Sequence, residues 1–227
     1  MSQLRVSTER LRRIVLIALF GAISYVLMLF VHFPVMFLTL DLKDAVIALC
    51  GLYFGPLSAL TLSVLVPLLE FVTVSDTGVY GLVMNFLGSA TFSVTASLIY
   101  KYKKSLWGAI AGLFSAVAAT VAVMVAFNLL VTPYYMGVAV AEVQALIPVL
   151  LLPFNVVKAV FNAAMVLLFY KPISGVMQRA GVLPRSSHPY RFDLRSCLIM
   201  LVALALIALS LVVIIVVLHG KITLGLK

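Results

Sequence analysis

Charge is what this chain lacks most. Only 10% of its 227 residues are charged, while 64% are hydrophobic. A soluble domain carries about 25% charged residues, so this shortage excludes a water-soluble globular protein. Acids are scarcest, with seven Asp and Glu against 16 Lys and Arg. Cysteine is nearly absent too. Cys50 and Cys197 lie in or beside apolar runs without CxxC spacing, which excludes a disulfide framework and a thiol pair for redox work. There is no HExxH, no GxSxG, and no GxxxxGK followed by Ser or Thr, so the common zinc-protease, serine-hydrolase and phosphate-cradling sites are missing. The three histidines, His32, His188 and His219, are too scattered for a metal spacing. The expectation is therefore no enzyme, no catalytic residue, no metal and no cofactor. Without a phosphate-binding loop, active transport needs a partner's energy or an ion gradient.

What is present is apolar length. Clear spans run over residues 14–31, 81–100, 106–132, 147–170 and 197–218, each long enough for about 30 Å of hydrocarbon. The stretch 43–74 is about 48 Å as a helix, too long for one ordinary span and short for two. Gly55-Pro56 near its middle is a strong breaker. Split there, and with the N-terminus cytoplasmic, 12 of the 16 Lys and Arg fall inside. Lys43, Lys221 and Lys227 fall outside, and Lys158 lies within the membrane. A single crossing would reverse every later loop and leave nine basic residues outside. The positive-inside rule favours the split, into two short or tilted helices. The same placement explains the net charge of +9 as a matter of topology rather than nucleic-acid binding. The first apolar run, at nearly full span length, exceeds a signal-peptide core.

The expected fold is an all-α polytopic membrane bundle in the cell membrane. Residues 1–178 form a six-helix substrate-binding domain, 179–195 a cytoplasmic basic linker, 196–219 a seventh transmembrane helix, and 220–227 an extracellular tail. Small-residue spacings recur at Ala18-x-x-x-Ala22, Gly51-x-x-x-Gly55 and Gly108-x-x-x-Gly112. They allow helix backbones to approach closely, and for any one of them internal packing is the first reading.

The sixth long helix carries the most informative polar group. Lys158 sits in an otherwise charge-free span, where an ionisable side chain costs about 2.5–3.5 kcal/mol. Asn155, Lys158 and Asn162, spaced i, i+3 and i+7, share one helix face, and Pro153 loosens the helix one turn earlier. Such a stripe faces a wet cavity, or Lys158 pairs structurally with an acid such as Glu70. Asn128 lies late in the preceding span, a turn before Thr132-Pro133, and Asn85, Ser89 and Ser93 form a stripe at i, i+4, i+8. These helices are expected to converge on one polar-lined pocket toward the outer face, where Asp41, Asp44, Glu70, Asp76 and Glu142 also lie. The segment 33–44 is either a lid over that pocket or an interfacial connector.

On these residues the chain resembles the substrate-binding S component of energy-coupling factor (ECF) transporters, within that group the riboflavin-specific branch. The resemblance covers about residues 11–178. It rests on Ala18-x-x-x-Ala22, on Leu42-Lys43-Asp44 before a short helix ending Leu52-Tyr53-Phe54-Gly55-Pro56, on Asn128-Leu129-Leu130-Val131-Thr132-Pro133, and on Asn155-x-x-Lys158. It implies a six-helix subunit that captures riboflavin from outside, beneath the first loop. It also implies docking on a membrane coupling subunit with two cytoplasmic ATPases. Asn128, Asn155 and Lys158 match the family's flavin-contacting positions, with Asn162, Asn85, Leu40 and Asp41 as further candidates. Ala18 and Ala22 match the docking motif. The span 197–218 lies beyond the family unit. The competing classes are a self-sufficient ion-coupled secondary transporter, which would favour inverted repeats and midplane acids, and an S component for a different vitamin.

Overall fold

The computed structural model describes residues 2–183, 194–220 and 223–224. Helix α1 spans Ser2–Phe30 and leads into a β-hairpin of β1 (Val31–Val35) and β2 (Leu38–Asp41). Helices α2 (Lys43–Phe54), α3 (Pro56–Thr73), α4 (Gly78–Tyr102) and α5 (Leu106–Met136) follow. A long last segment combines α6 (Val140–Leu146), a π-helical turn Ile147–Leu151 and α7 (Leu152–Arg179). Beyond it come α8 (Leu194–Val212), a second π-helical turn Val213–Val217 and a short strand β3 (Thr223–Leu224). Among the described residues, six segments are long and apolar enough to cross a membrane.

The split at Gly55-Pro56 stands. Gly55 adopts φ 95°, a conformation that favours glycine, and Pro56 opens α3 where its missing N–H is no loss. The two halves are unequal. At 12 residues, α2 is about 18 Å long, well short of a full span, whereas α3 has 18 residues and reaches about 27 Å. The expected seven spans are therefore six of full length and one short helix held inside the bundle. Most of α2 is buried, Lys43 and Asp44 included.

Close packing explains two of the three small-residue motifs. A methyl group on Gly51 would lie 2.8 Å from the Ala59 side chain, and one on Gly112 would lie 2.7 Å from the Ala96 carbonyl. These glycines let α2 meet α3 and α4, and let α5 meet α4. Ala18 and Ala22 behave differently, since both are exposed on α1.

Hydrogen bonds define the two ends of the bundle. The Arg13 guanidinium donates to the carbonyl of Phe54 at the end of α2, and that of Arg12 to the carbonyls of Ala180 and Gly181 beyond α7. The start of α1 thus sits with the ends of α2 and α7, at one basic end. The hairpin occupies the other. It departs from an all-helical expectation: Val35 pairs with Leu38 and His32 with Asp41 across a two-residue turn. Met36 in that turn has φ 53°, the left-handed region that such tight hairpin turns demand.

The C-terminal tail reaches the same end. β3 pairs antiparallel with β1, placing Leu224 opposite Val31 and Thr223 opposite His32 and making β1 the central strand. Among the described residues the pairing with β3 ends at His32, two positions before Pro34, which has no N–H to give. Ile214 and Leu218 pack with Phe33, Val35, Leu40 and Phe161, so the C-terminal span is fastened to both α7 and the hairpin. The expected linker, with Pro184 and Pro189, lies largely outside the described residues.

Candidate functional site

A cavity of about 510 Å³ opens between the hairpin and the bundle, within the usual range for small-molecule sites. Two helical walls enclose it. α4 presents Tyr80, Met84, Asn85, Gly88 and Phe92, and α5 presents Thr120, Met124, Asn128, Thr132 and Tyr135. Both sets follow the three- and four-residue spacing of a single helix face. α7 adds Phe154, Asn155, Lys158 and Asn162, while the hairpin adds His32, Pro34, Phe37 and Thr39. Phe37 and Tyr80 each hold their ring 6.2 Å from that of Tyr135, forming an aromatic cluster near the hairpin tip.

Asn85, Asn128, Asn155, Lys158, Asn162 and Asp41 all line this one cavity. The anticipated convergence of three helices is real, although the residues divide by what they bond. Asn128 donates to the Met124 carbonyl (2.7 Å) and accepts from the Thr132 hydroxyl (2.8 Å). Asn155 likewise donates one turn back, to the Leu151 carbonyl (2.7 Å) at the end of the π-helical turn. Asn162 clips the lid to the bundle: its amide oxygen accepts from the Ala45 N–H (2.8 Å) and its amide N–H donates to the Asp41 carbonyl (3.2 Å). Leu40 is not brought to the cavity. It is fully buried against Phe154, Phe161 and Ile214 in the apolar seam behind the hairpin.

Lys158 has an acidic partner, but it is not Glu70. Its ammonium donates to the Thr39 carbonyl (3.0 Å) and to Asp41 Oδ2 (3.2 Å). β2 is an edge strand, so the Thr39 carbonyl is open to this contact. Two of the three ammonium N–H groups are used there. The side chain remains 18% exposed and lines the cavity.

Glu70 belongs to Lys43 instead. Their contact is 2.7 Å, with both side chains almost fully buried, and Asn85 donates to the same carboxylate oxygen at 3.0 Å. Lys43 also lies 3.4 Å from Asp41 Oδ2. Asp41 thus sits between two cations and accepts from the Lys43 backbone N–H. Burial alone would push its carboxyl up; Lys158 and Lys43 bring it down to about 2, so it is ionised at any physiological pH. The Ser stripe on α4 serves packing. Ser89 donates to Asp44 and Ser93 meets Ser63, all of them buried.

Three features escape a reading by spacing: the Lys43–Glu70 pair, Thr120 and His32. Lys43 looks like an ordinary loop charge. Thr120 lies among small apolar residues of α5, and His32 looks like a span-end residue.

Fold and site together define a helical membrane-embedded binding unit, whose lidded cavity lies toward one end of the bundle. A family model for the substrate-specific component of ECF transporters matches residues 12–174, and the chain belongs to that family. It is a multi-pass membrane transport protein. It is similar to the riboflavin transporter RibU of Staphylococcus aureus (strain TCH60), 29% identical over 185 residues, covering 77% of this chain and 97% of that one. It also resembles the solved S component of a bacterial ECF transporter, with a TM-score of 0.65 and 29% identity over 75% of this chain and 99% of that one. Both likenesses leave part of the chain unmatched.

Proposed function

We propose that this chain captures riboflavin at its hairpin end and delivers it through a partner energy-coupling module. The observation that carries the reading is the composition of one cavity: aromatic and methionine walls, with Asn128, Asn155 and Lys158 gathered on them. A flavin ring is flat and apolar with a donor/acceptor edge, and its ribityl tail carries hydroxyls. Such a ligand needs a largely apolar site with a few placed polar groups. The name of the Staphylococcus aureus relative supports the same ligand.

The basic end holds Arg12, Arg13, Lys101, Lys103 and Lys104 and is the cytoplasmic side by the positive-inside rule. The N-terminus is then cytoplasmic and the cavity faces outward. Purified protein should carry a yellow ligand with a flavin absorption spectrum, and stripped protein should bind added riboflavin in a calorimetric titration. Colourless protein that takes up no riboflavin would sink the reading.

The partners in this reading are a membrane coupling subunit and two cytoplasmic ATPases. Ala18 and Ala22 leave a flat, exposed strip on α1, suited to close helix contact. Ala18→Leu with Ala22→Leu should leave riboflavin affinity unchanged and abolish uptake in cells that supply the ATPases. An equal loss of binding would make the strip an internal packing surface.

A further inference from the structure

Two side chains that line the cavity each hold a buried polar atom that the protein does not satisfy. Among the described residues, His32 Nδ1 and Thr120 Oγ1 are buried side-chain atoms without a hydrogen-bond partner, and both residues line the same cavity. His32 is 6% exposed and Thr120 is 8% exposed. Native interiors leave few such groups, and each needs a reason. A helical Ser or Thr ordinarily returns its hydroxyl to a carbonyl one turn back, as Thr61, Thr73, Ser63 and Ser97 do here. Thr120 does not.

The two residues mark different depths. Thr120 precedes Asn128 by eight positions on α5, roughly 12 Å along the helix toward the basic end. Phe92 and Met124 line the cavity with it, so its hydroxyl is a polar point in apolar surroundings. His32 lies on the hairpin, paired across the ladder with Asp41.

We infer that Thr120 and His32 are ligand-binding positions at the two ends of the cavity. Thr120 Oγ1 hydrogen-bonds a polar group at the deep end of the ligand, and His32 bonds one beneath the hairpin. The ligand class is an elongated molecule with hydrogen-bonding groups at both ends, long enough to pass from the level of Asn128 to that of Thr120. This rests on the riboflavin reading, which a flavin satisfies through its ring edge and its ribityl hydroxyls.

The full chain in detergent is titrated with riboflavin and with lumichrome, a flavin ring without the ribityl tail, and melted with and without riboflavin. Thr120→Val removes the hydroxyl at nearly constant volume and should weaken riboflavin binding about 3- to 10-fold. His32→Phe should weaken it by a similar factor, and Thr120→Ser should stay within about 2-fold of wild type. Ligand-free Thr120→Val should melt no lower than wild type, because it loses an unpartnered buried hydroxyl. Lumichrome unaffected by Thr120→Val places the tail at Thr120, and lumichrome weakened in parallel places the ring there; both support the assignment. Wild-type affinity in both Thr120→Val and His32→Phe overturns it, as does a lower ligand-free melting point with wild-type affinity. A wild-type chain that binds no riboflavin removes the flavin reading and this inference with it.

Discussion

Glu70→Ala should destabilise the ligand-free protein by about 3 kcal/mol, toward the low end of what breaking a buried ion pair costs, because Lys43 keeps Asp41 at 3.4 Å. Lys43 is 1% exposed and its ammonium lies 2.7 Å from Glu70. It cannot reach water without pulling α2 away from the Ser24 hydroxyl, which donates to its carbonyl at 3.0 Å. Asn85 would lose an acceptor in the same step. A thermal melt followed by size-exclusion chromatography reads the effect directly. Removing both charges, as Lys43→Met with Glu70→Leu, should recover much of the loss, since a buried pair often gives way to apolar residues at little cost. A Glu70→Ala protein that melts with wild type would mean that water reaches Lys43 and that the pair contributes little.

Lys158→Met should lower riboflavin affinity about ten- to a hundred-fold while the protein still inserts and purifies. A hydrogen bond from a charged group contributes about 1.5–3 kcal/mol, and that is the corresponding factor in affinity. The fold survives because Asp41 keeps Lys43 at 3.4 Å and Asn162 still holds the Asp41 carbonyl. Calorimetric titration of ligand-free protein checks it. Unchanged affinity in both Lys158→Met and Asn155→Ala would leave Lys158 as a structural charge that only anchors the hairpin.

Much of this architecture is legible in the chain because helix periodicity is local. Asn155, Lys158 and Asn162 share a face by spacing alone, and Gly55-Pro56 announces a turn whatever surrounds it. The convergence of Asn85, Asn128 and Lys158 also follows once each must avoid lipid. The partners of the charges do not follow. Whether Lys158 meets Asp41 or Glu70 depends on how a hairpin folds back over the bundle, and no periodicity reports that. The hairpin itself is hidden because Val31–Asp41 lacks the Asn-Gly or Asp-Gly that marks a tight turn; Met36 takes the left-handed position instead. Leu40 shows the cost of that blindness. It lies in the right segment but points into the seam with α7 and α8, because side chains alternate along a strand. The pairing of β3 with β1 joins residues at opposite ends of the chain, beyond any local signal.

The clip between the hairpin and α7 also sets an order of assembly during synthesis. Asp41 must wait for Lys158 and Asn162, 117 and 121 residues later in the chain. At about 5–20 residues per second, that delay is on the order of 6–23 s. During it the early helices already sit in the membrane with Lys43 and Glu70 able to neutralise each other, being 27 residues apart. Asp41 has only Lys43 until the last long segment of the bundle arrives. A ribosome-bound chain stopped before α7 would therefore hold its hairpin open, and a protease added at that stage would cut between Val31 and Asp41, where the finished protein resists.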